Sequence, residues 1–420
     1  MAILSAELAA PEGSEPPPRG MFASFRYPQY RVLWCSGWCW TATRQLSVFL
    51  GAFLVNEMTG SPLKVQLVGT SFFMPMFLGG VMAGVISDRF DRRRTMLRQL
   101  TALAPLAGLM GIVTSTGHLR VWMIYAFMLM VGVGGVIDMT SRRALVIDVV
   151  GIELATNAVA LEAFAMSSGT LVGVLAGGAI LRWVGRGQTY LLIAVLYIVS
   201  AVLLQMVHPP PRRRPAGPRP RVTDLLADYA QGLRLLRSER ALVSLLGVTV
   251  LMNFCFYSYM PLVPVFAKRL GADPFLAGVL SSANGLGTMF GALSVAALQP
   301  RRRGLLYLGA TLGAMATLNA FAHAPTYLLA FGALSVASFI SAGFSSTQGS
   351  IAMTVVSEEV RGRAMGLVST AIGALPFGMF VLGVLAQHLG PPAAVSTMVC
   401  SGIILTLGWN LWRPELRGVR

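Results

Sequence analysis

The chain alternates long apolar runs with short clusters of charge, proline and glycine. A helix needs roughly 20 apolar residues to cross about 30 Å of hydrocarbon. The runs predict membrane helices at 32–56, 65–87, 95–115, 121–141, 154–181 and 189–207. A second set follows at 241–267, 275–298, 304–322, 326–348, 363–387 and 392–412. The expected fold class is therefore an all-α membrane protein of twelve transmembrane helices.

The two sets of six are repeats. Val149–Val150–Gly151–Ile152–Glu153 aligns with Val355–Val356–Ser357–Glu358–Glu359 at a shift of 206 positions, and the same shift brings Ala158 onto Ala364 and Leu161 onto Leu367. Gly84 through Arg92–Arg94 likewise corresponds to Gly291 through Arg301–Arg303. Repetition at long period signals an architecture built from copies of one unit. The domain plan that follows is a disordered cytoplasmic tail over 1–28, an N-terminal six-helix half over 29–207, a linker over 208–240, and a C-terminal half over 241–420. Within the linker, Asp224 through Arg237 sets apolar residues at helical spacing opposite charges, which predicts an amphipathic helix lying on the membrane face.

Composition narrows the class. The residues are 55% hydrophobic and 12% charged, against roughly 25% charged in soluble domains. Too few charges remain to cover a water-facing surface. The formal charge of +16 does not imply nucleic acid, because the arginines sit in loops between apolar runs, as the positive-inside rule places them. With the N-terminus inside, 26 basic residues fall on inner segments, Arg142 and Arg143 among them, and six on outer ones. Both termini are expected in the cytoplasm and the protein in the cell (inner) membrane. Cys35, Cys39, Cys255 and Cys400 lie in apolar runs without metal-ligand spacing, so no metal or other cofactor is expected. The first 28 residues lack the basic and apolar regions of a signal peptide. Neither Lys64 nor Lys268 stands in a Gly-Lys-Ser/Thr nucleotide loop. Transport would run on a gradient.

The segment Gly84–Val–Ile–Ser–Asp88–Arg89–Phe–Asp91–Arg92–Arg93–Arg94 resembles the loop 2–3 motif G-x-x-x-D-R-x-G-R-R of the major facilitator superfamily, with Asp91 where glycine is usual. Thr59–Gly60–Ser61–Pro62–Leu63, Pro264–Val265–Phe266–Ala267 and Arg361–Gly362–Arg363 are similar to the subgroup of macrolide efflux proteins and the enterobactin exporter. The resemblance implies a conformational latch of Asp88, Arg92 and Asp138, with Asp138 placed to pair with Arg92 and Asp88 meeting the start of helix 11. It also implies a cavity lined by helices 1, 4, 7 and 10. Gly169, Gly173, Gly177 and Gly178 in helix 5 are similar to an antiporter motif, with Val174 where that motif has proline; close helix packing through small residues explains the same glycines.

Arg44 in helix 1 and Glu162 in helix 5 are ionisable groups inside spans, each expensive unless it meets a cavity or a partner. Two readings stand: substrate and proton handling, or an Arg44–Glu162 pair tying helices together. With Asp138 assigned to the latch and no histidine inside a span, Glu162 is the candidate for proton coupling. Helix 10 carries Ser338, Ser341, Ser345 and Gln348 as one polar stripe, and helix 7 adds Asn253, Tyr257 and Tyr259. With Arg44, these are the candidate substrate cavity, and tryptophans of helix 1 add aromatic surface. The expected function is secondary active export of small amphipathic, drug-like organic molecules by alternating access, with protons as the counter-substrate, membrane lipid around it, and a monomer as the working unit. A siderophore or lysolipid exporter, or a transport-inactive membrane sensor, is the alternative. No intramembrane protease constellation is present, so an enzyme is not expected.

Overall fold

The computed structural model describes residues 20, 22–79, 91–151, 153–208 and 239–419. Asp88, Gly84 and Arg89 of the loop 2–3 motif, the amphipathic helix expected within 208–240 and most of the expected tail lie outside the described residues. So do the contacts of Asp88 with helix 11.

Among the described residues twelve helices form one bundle. In the N-terminal half they are α1 (Pro28–Thr59), α2 (Pro62–Gly79), α3 (Arg92–Ser115), α4 (Val121–Val150), α5 (Ala155–Trp183) and α6 (Arg186–Gln205). The C-terminal half has α7 (Arg240–Arg269), α8 (Pro274–Leu298), α9 (Arg303–Ala322), α10 (Tyr327–Thr354), α11 (Arg361–Leu389) and α12 (Pro391–Trp412). Among the described residues there is no strand, and α3 to α12 are each long and apolar enough to cross a membrane. An even number of crossings puts the start of α1 and the end of α12 at the same end of the bundle. That end also carries Arg92–Arg94 and Arg301–Arg303 and is called the arginine-rich end below; the other is the far end.

Local chemistry sets the helix ends. Pro28 opens α1 with its φ already helical, and Gly60 at φ +61 closes it, its N–H reaching Asn56 O. Asp91, the departure from the family motif, caps α3 by accepting from Arg94 N at 2.9 Å. Asp273 caps α8 in the same way through Leu276 N at 2.8 Å. The repeat is visible in the junctions. Val149–Val150 ends α4 just before α5, and Val355–Val356 sits just past α10 and before α11.

Two expectations change. Residues 22–28, assigned to the tail, are packed: Ser24 donates to Asn157 of α5 at 2.7 Å through its hydroxyl, and Phe25 meets the Trp34 ring edge-on. Ala23 and Ser24 are buried and Phe25 is partly so, while Phe22 and Tyr27 stay exposed. The fourth span does not end at 141. Helix α4 continues to Val150, so Arg142, counted with the loops, lies on a helix and is buried.

Helices α7 and α11 are discontinuous. Helix α7 passes through a π segment at Met252–Phe256 and a 3₁₀ segment at Tyr257–Leu262 that contains Pro261. Helix α11 breaks at Gly373–Ala374 ahead of Pro376. Proline removes a backbone donor and crowds the preceding turn. Irregular backbone at membrane depth persists where protein or a cavity surrounds it.

The halves meet along α5 with α8 and α2 with α11. Polar links cross between them at Arg182–Asp273, Ser61 to Gln387 at 2.7 Å, Gln66 to Ser258 O at 2.9 Å and Thr70 to Pro376 O at 3.4 Å. All of these lie toward the far end. Toward the arginine-rich end, Ala163 of α5 and Ala292 of α8 are exposed. The bundle is thus closed at the far end.

Candidate functional site

The interior of the N-terminal half holds a row of charges of alternating sign. Asp138 and Arg142 are one turn apart on α4, the spacing at which side chains on a helix meet. Arg142 donates from Nε to Asp138 Oδ1 and Oδ2 at 3.1 and 3.0 Å, and from Nη2 to Oδ1 at 2.6 Å. Its Nη1 donates to Leu33 O of α1 at 3.1 Å. Gly37 makes the room, since a Cβ there would sit 2.9 Å from Arg142 Nη1. Both partners are buried, Arg142 at 6% and Asp138 at 7% exposure. A charged pair survives such burial when its remaining donors and acceptors are also satisfied.

The row extends both ways. On α5, Glu162 lies within electrostatic reach of Arg142 and Asp138, and its Oε1 is buried without a hydrogen-bond partner among the described residues. On α1, Arg44 lies within reach of Asp138, and its Nε is buried and likewise unpartnered among the described residues. The Arg44 guanidinium stands 5.9 Å from the centre of the Phe72 ring, close enough for a cation–π contact. No ion pair joins Arg44 to Glu162 among the described residues. The order is Arg44, Asp138, Arg142, Glu162, with Arg142 supplying the link that the sequence reading assigned to Arg44 itself.

The expected latch also re-pairs. Arg92 makes its ion pair with Asp148 at 3.1 Å, not with Asp138. The physical reason is the length of α4: Asp138 lies nearly three turns deeper than Asp148 and is already held by Arg142, whereas Asp148 sits at the arginine-rich end beside the start of α3.

Among the described residues the interior of the C-terminal half carries no buried charge. Gln348 donates to the Thr249 hydroxyl at 3.1 Å, Thr249 meets the Tyr307 hydroxyl at 2.8 Å, and Asn253 donates to Thr249 O at 2.9 Å. This network joins α7, α9 and α10. Ser341 donates to Ser338 O at 2.8 Å within its own helix. Tyr257 packs against Phe344 with ring centres 6.2 Å apart. Ser345 alone of the helix 10 stripe is exposed.

A crevice of about 670 Å³, counted with the solvent it opens to, lies between the halves. Its walls come from α1, α2 and α5 on one side and α7, α8 and α11 on the other. The polar groups are Gln45, Thr170, Tyr259, Ser281 and Asn284; the apolar surface includes Phe49, Phe72, Phe73 and Val174. Of the expected cavity residues Tyr259 lines it, while Arg44, Asn253, Tyr257, Ser338, Ser341, Ser345 and Gln348 do not. The correction has a physical cause. Ser341 and Ser345 donate back to carbonyls of α10 itself, Ser338 packs against Gly287 of α8 and Gln348 turns to Thr249 of α7, while the bent α7 turns Tyr259 rather than Tyr257 toward the crevice. Gln45 and Asn284 were missed; each is an amide inside an apolar helix, a signal that a search for charges passes over.

The four helix 5 glycines lie at helix contacts. At Gly173 a Cβ would meet Ala42 O at 2.3 Å, so α5 and α1 touch backbone to backbone. Gly169 and Gly177 face Thr41 and Leu46 of the same helix. Gly178 faces α8, where a Cβ would meet Pro274 O at 2.8 Å and Gly278 Cα at 2.9 Å. Small residues permit this approach where lipid supplies no hydrophobic drive.

Two six-helix halves closed at one end around a central crevice define a membrane transporter. Residues 32–377 match the family model of the Major Facilitator Superfamily, and the chain belongs to that family. It is a multi-pass membrane transporter rather than an enzyme. Enterobactin exporters EntS of Salmonella typhimurium and Citrobacter koseri are each 27% identical to it, over 371 and 383 residues, covering 87% of this chain and 87% of theirs. Among solved structures, the nucleoside transporter NupG matches with a TM-score of 0.73 at 12% identity, covering 92% of this chain and 99% of that one. The D-xylose-proton symporter matches with 0.71 at 16% identity, covering 93% and 99%. A bacterial homolog of the human lysosomal transporter Spinster, inward-facing and unoccupied, matches with 0.66 at 15% identity, covering 96% and 97%. These likenesses concern the fold.

Proposed function

We propose that this transporter exports small amphipathic organic molecules from the cytoplasm in exchange for protons, as a monomer in the cell (inner) membrane with both termini cytoplasmic. The observation that carries the reading is the contact between two systems: the charge row ends at Arg44, Arg44 backs Phe72, and Phe72 is a wall of the crevice. Whatever changes the charge of the row is felt where a ligand would sit.

With Glu162 ionised, the four charges sum to zero, and an apolar ligand can cover the row at little electrostatic cost. With Glu162 protonated, the row carries +1. A net charge beneath a dry ligand has lost its water, and an unpaired buried charge is expensive. The protonated row therefore favours a water-filled crevice and the ionised row favours ligand. Binding that excludes its rival in this way is a negative coupling between two ligands, and the coupling is reciprocal. Asp138 and Arg142 would act as positioning groups, and Glu162 as the proton carrier. Alternating access would open the arginine-rich end and the far end in turn, with Arg92 and Asp148, together with Asp88, as the latch at the former and Arg182–Asp273 as its counterpart at the latter.

A narrower reading is that the cargo is a siderophore. It is favoured by the likeness to proteins named enterobactin exporters over most of the chain. The test is efflux from proteoliposomes loaded with a fluorescent aromatic amphipath. The reading expects an imposed proton gradient to accelerate efflux several-fold. Equal rates with and without the gradient would reduce the protein to a facilitator.

A further inference from the structure

Among the described residues the crevice lining contains no Asp, Glu, Lys, Arg or His. Its polar groups are amides and hydroxyls facing one another from the two halves. Gln45 of α1 projects into it and makes no side-chain hydrogen bond among the described residues, leaving donors and an acceptor for a ligand. Across the crevice, Asn284 of α8 donates to the Tyr259 hydroxyl at 2.9 Å, which fixes that amide and leaves its oxygen to accept. The rings of Phe49, Phe72 and Phe73 line the crevice from the same half as Gln45.

An aromatic wall of this kind can attract organic cations through the ring faces. Here that route is obstructed. The Arg44 guanidinium already stands against the Phe72 ring, and the charge in contact with the wall there is positive. A cationic ligand on the Phe72 ring would meet a like charge across a poorly screened interior, because the member of the row that stands against that ring is Arg44; Asp138 and Glu162, like Arg44 itself, lie off the lining. Asp138 is held by Arg142. A neutral aromatic molecule with hydroxyl or amide groups meets no such penalty, and satisfies Gln45 and Asn284.

We propose that the crevice selects neutral aromatic molecules bearing hydrogen-bonding groups and rejects organic cations of the same size. Specificity arises by repulsion as much as by attraction: Arg44 excludes, while Gln45 and Asn284 recognise. The physiological meaning rests on the export reading above, but the test reads binding alone and needs no gradient.

The probes are 2-naphthol and its trimethylammonium counterpart, titrated calorimetrically against the purified full chain in lipid nanodiscs, with empty nanodiscs subtracted. The proposal expects 2-naphthol to bind at least tenfold more tightly than the cation. Placing a carboxylate on the lining, Gln45→Glu or Asn284→Asp, should raise cation affinity about tenfold and lower 2-naphthol affinity. Because this is a gain of binding, misfolding cannot imitate it. Equal affinity of the wild type for both probes, no binding of 2-naphthol, or unchanged cation affinity in both variants would each overturn the proposal. If the binding preference holds while proteoliposomes show no gradient-driven efflux, the export reading falls and the selectivity stands.

Discussion

Position 142 and position 348 occupy the same place in the two repeats, separated by the shift of 206 that aligns the ends of α4 and α10. In the N-terminal half the residue is Arg142, clamped on Asp138 within reach of Glu162. Its C-terminal counterpart is Gln348, bonded to Thr249 beside Tyr307. The partners have diverged with it: Asp138 corresponds to Phe344 and Glu162 to Val368, both buried and apolar. One scaffold position thus carries a charge network in one half and a neutral hydrogen-bond network in the other. The backbone differs as well, since α1 runs unbroken past Arg44 while α7 passes through π and 3₁₀ segments. A charge row keeps its strength only if its members hold fixed positions, and continuous helices supply that. The neutral half can bend. The division of labour this suggests is a rigid, ion-sensing N-terminal half against a pliant C-terminal half that shapes the crevice.

The comparison can be broken most severely at Arg142. Arg142→Met leaves Asp138 buried without its hydrogen-bonded cation and with only the more distant Arg44 within reach, a loss of about 3–5 kcal/mol for a broken buried pair. Thermal unfolding of the purified variant should show a large drop, and adding Asp138→Asn should recover much of it. A single variant as stable as wild type would mean that the pair does not hold the N-terminal half. Next in size is Gly173→Leu, where a side chain must displace the Ala42 backbone. Overpacking of this kind costs about 1–3 kcal/mol, and α5 and α1 should separate, which crosslinking of paired cysteines on the two helices can read.

The neutral half should respond more gently. Tyr307→Phe removes one hydroxyl from the Thr249–Gln348 network, worth about 1 kcal/mol, and gradient-driven efflux should persist. A loss of gradient response there would move ion sensing out of the N-terminal half. Smallest is Arg182→Gln at the far end, a half-exposed pair worth about 0–1 kcal/mol. Stability should scarcely change, while labelling of a cysteine placed in the crevice from the far side should increase as closure weakens.

Most of the fold was legible because a membrane helix is written in one variable, the length of an apolar run, and the repeat copies it. What escaped was depth and partnership. Arg142 read as a loop arginine because Arg143 follows it and the run ends there; only the continuation of α4 to Val150 carries it into the interior. Arg92 was matched to Asp138 by family analogy, and the structure offers it Asp148 instead. The serine stripe of α10 had the right period for a cavity, but periodicity marks a polar face without saying whether ligand or neighbouring helix meets it. Glu162 and Arg44 were visible as charges inside spans, and their relation through Asp138 and Arg142 required coordinates.

The central claim is that Glu162 reports protonation to the crevice. Glu162→Gln carries a neutral side chain of the same shape, so the row is fixed at +1. Efflux of an aromatic amphipath from proteoliposomes should then proceed at one rate with or without an imposed proton gradient, while wild-type protein reconstituted alongside is accelerated several-fold. A Glu162→Gln transporter that keeps the full gradient response would contradict the account.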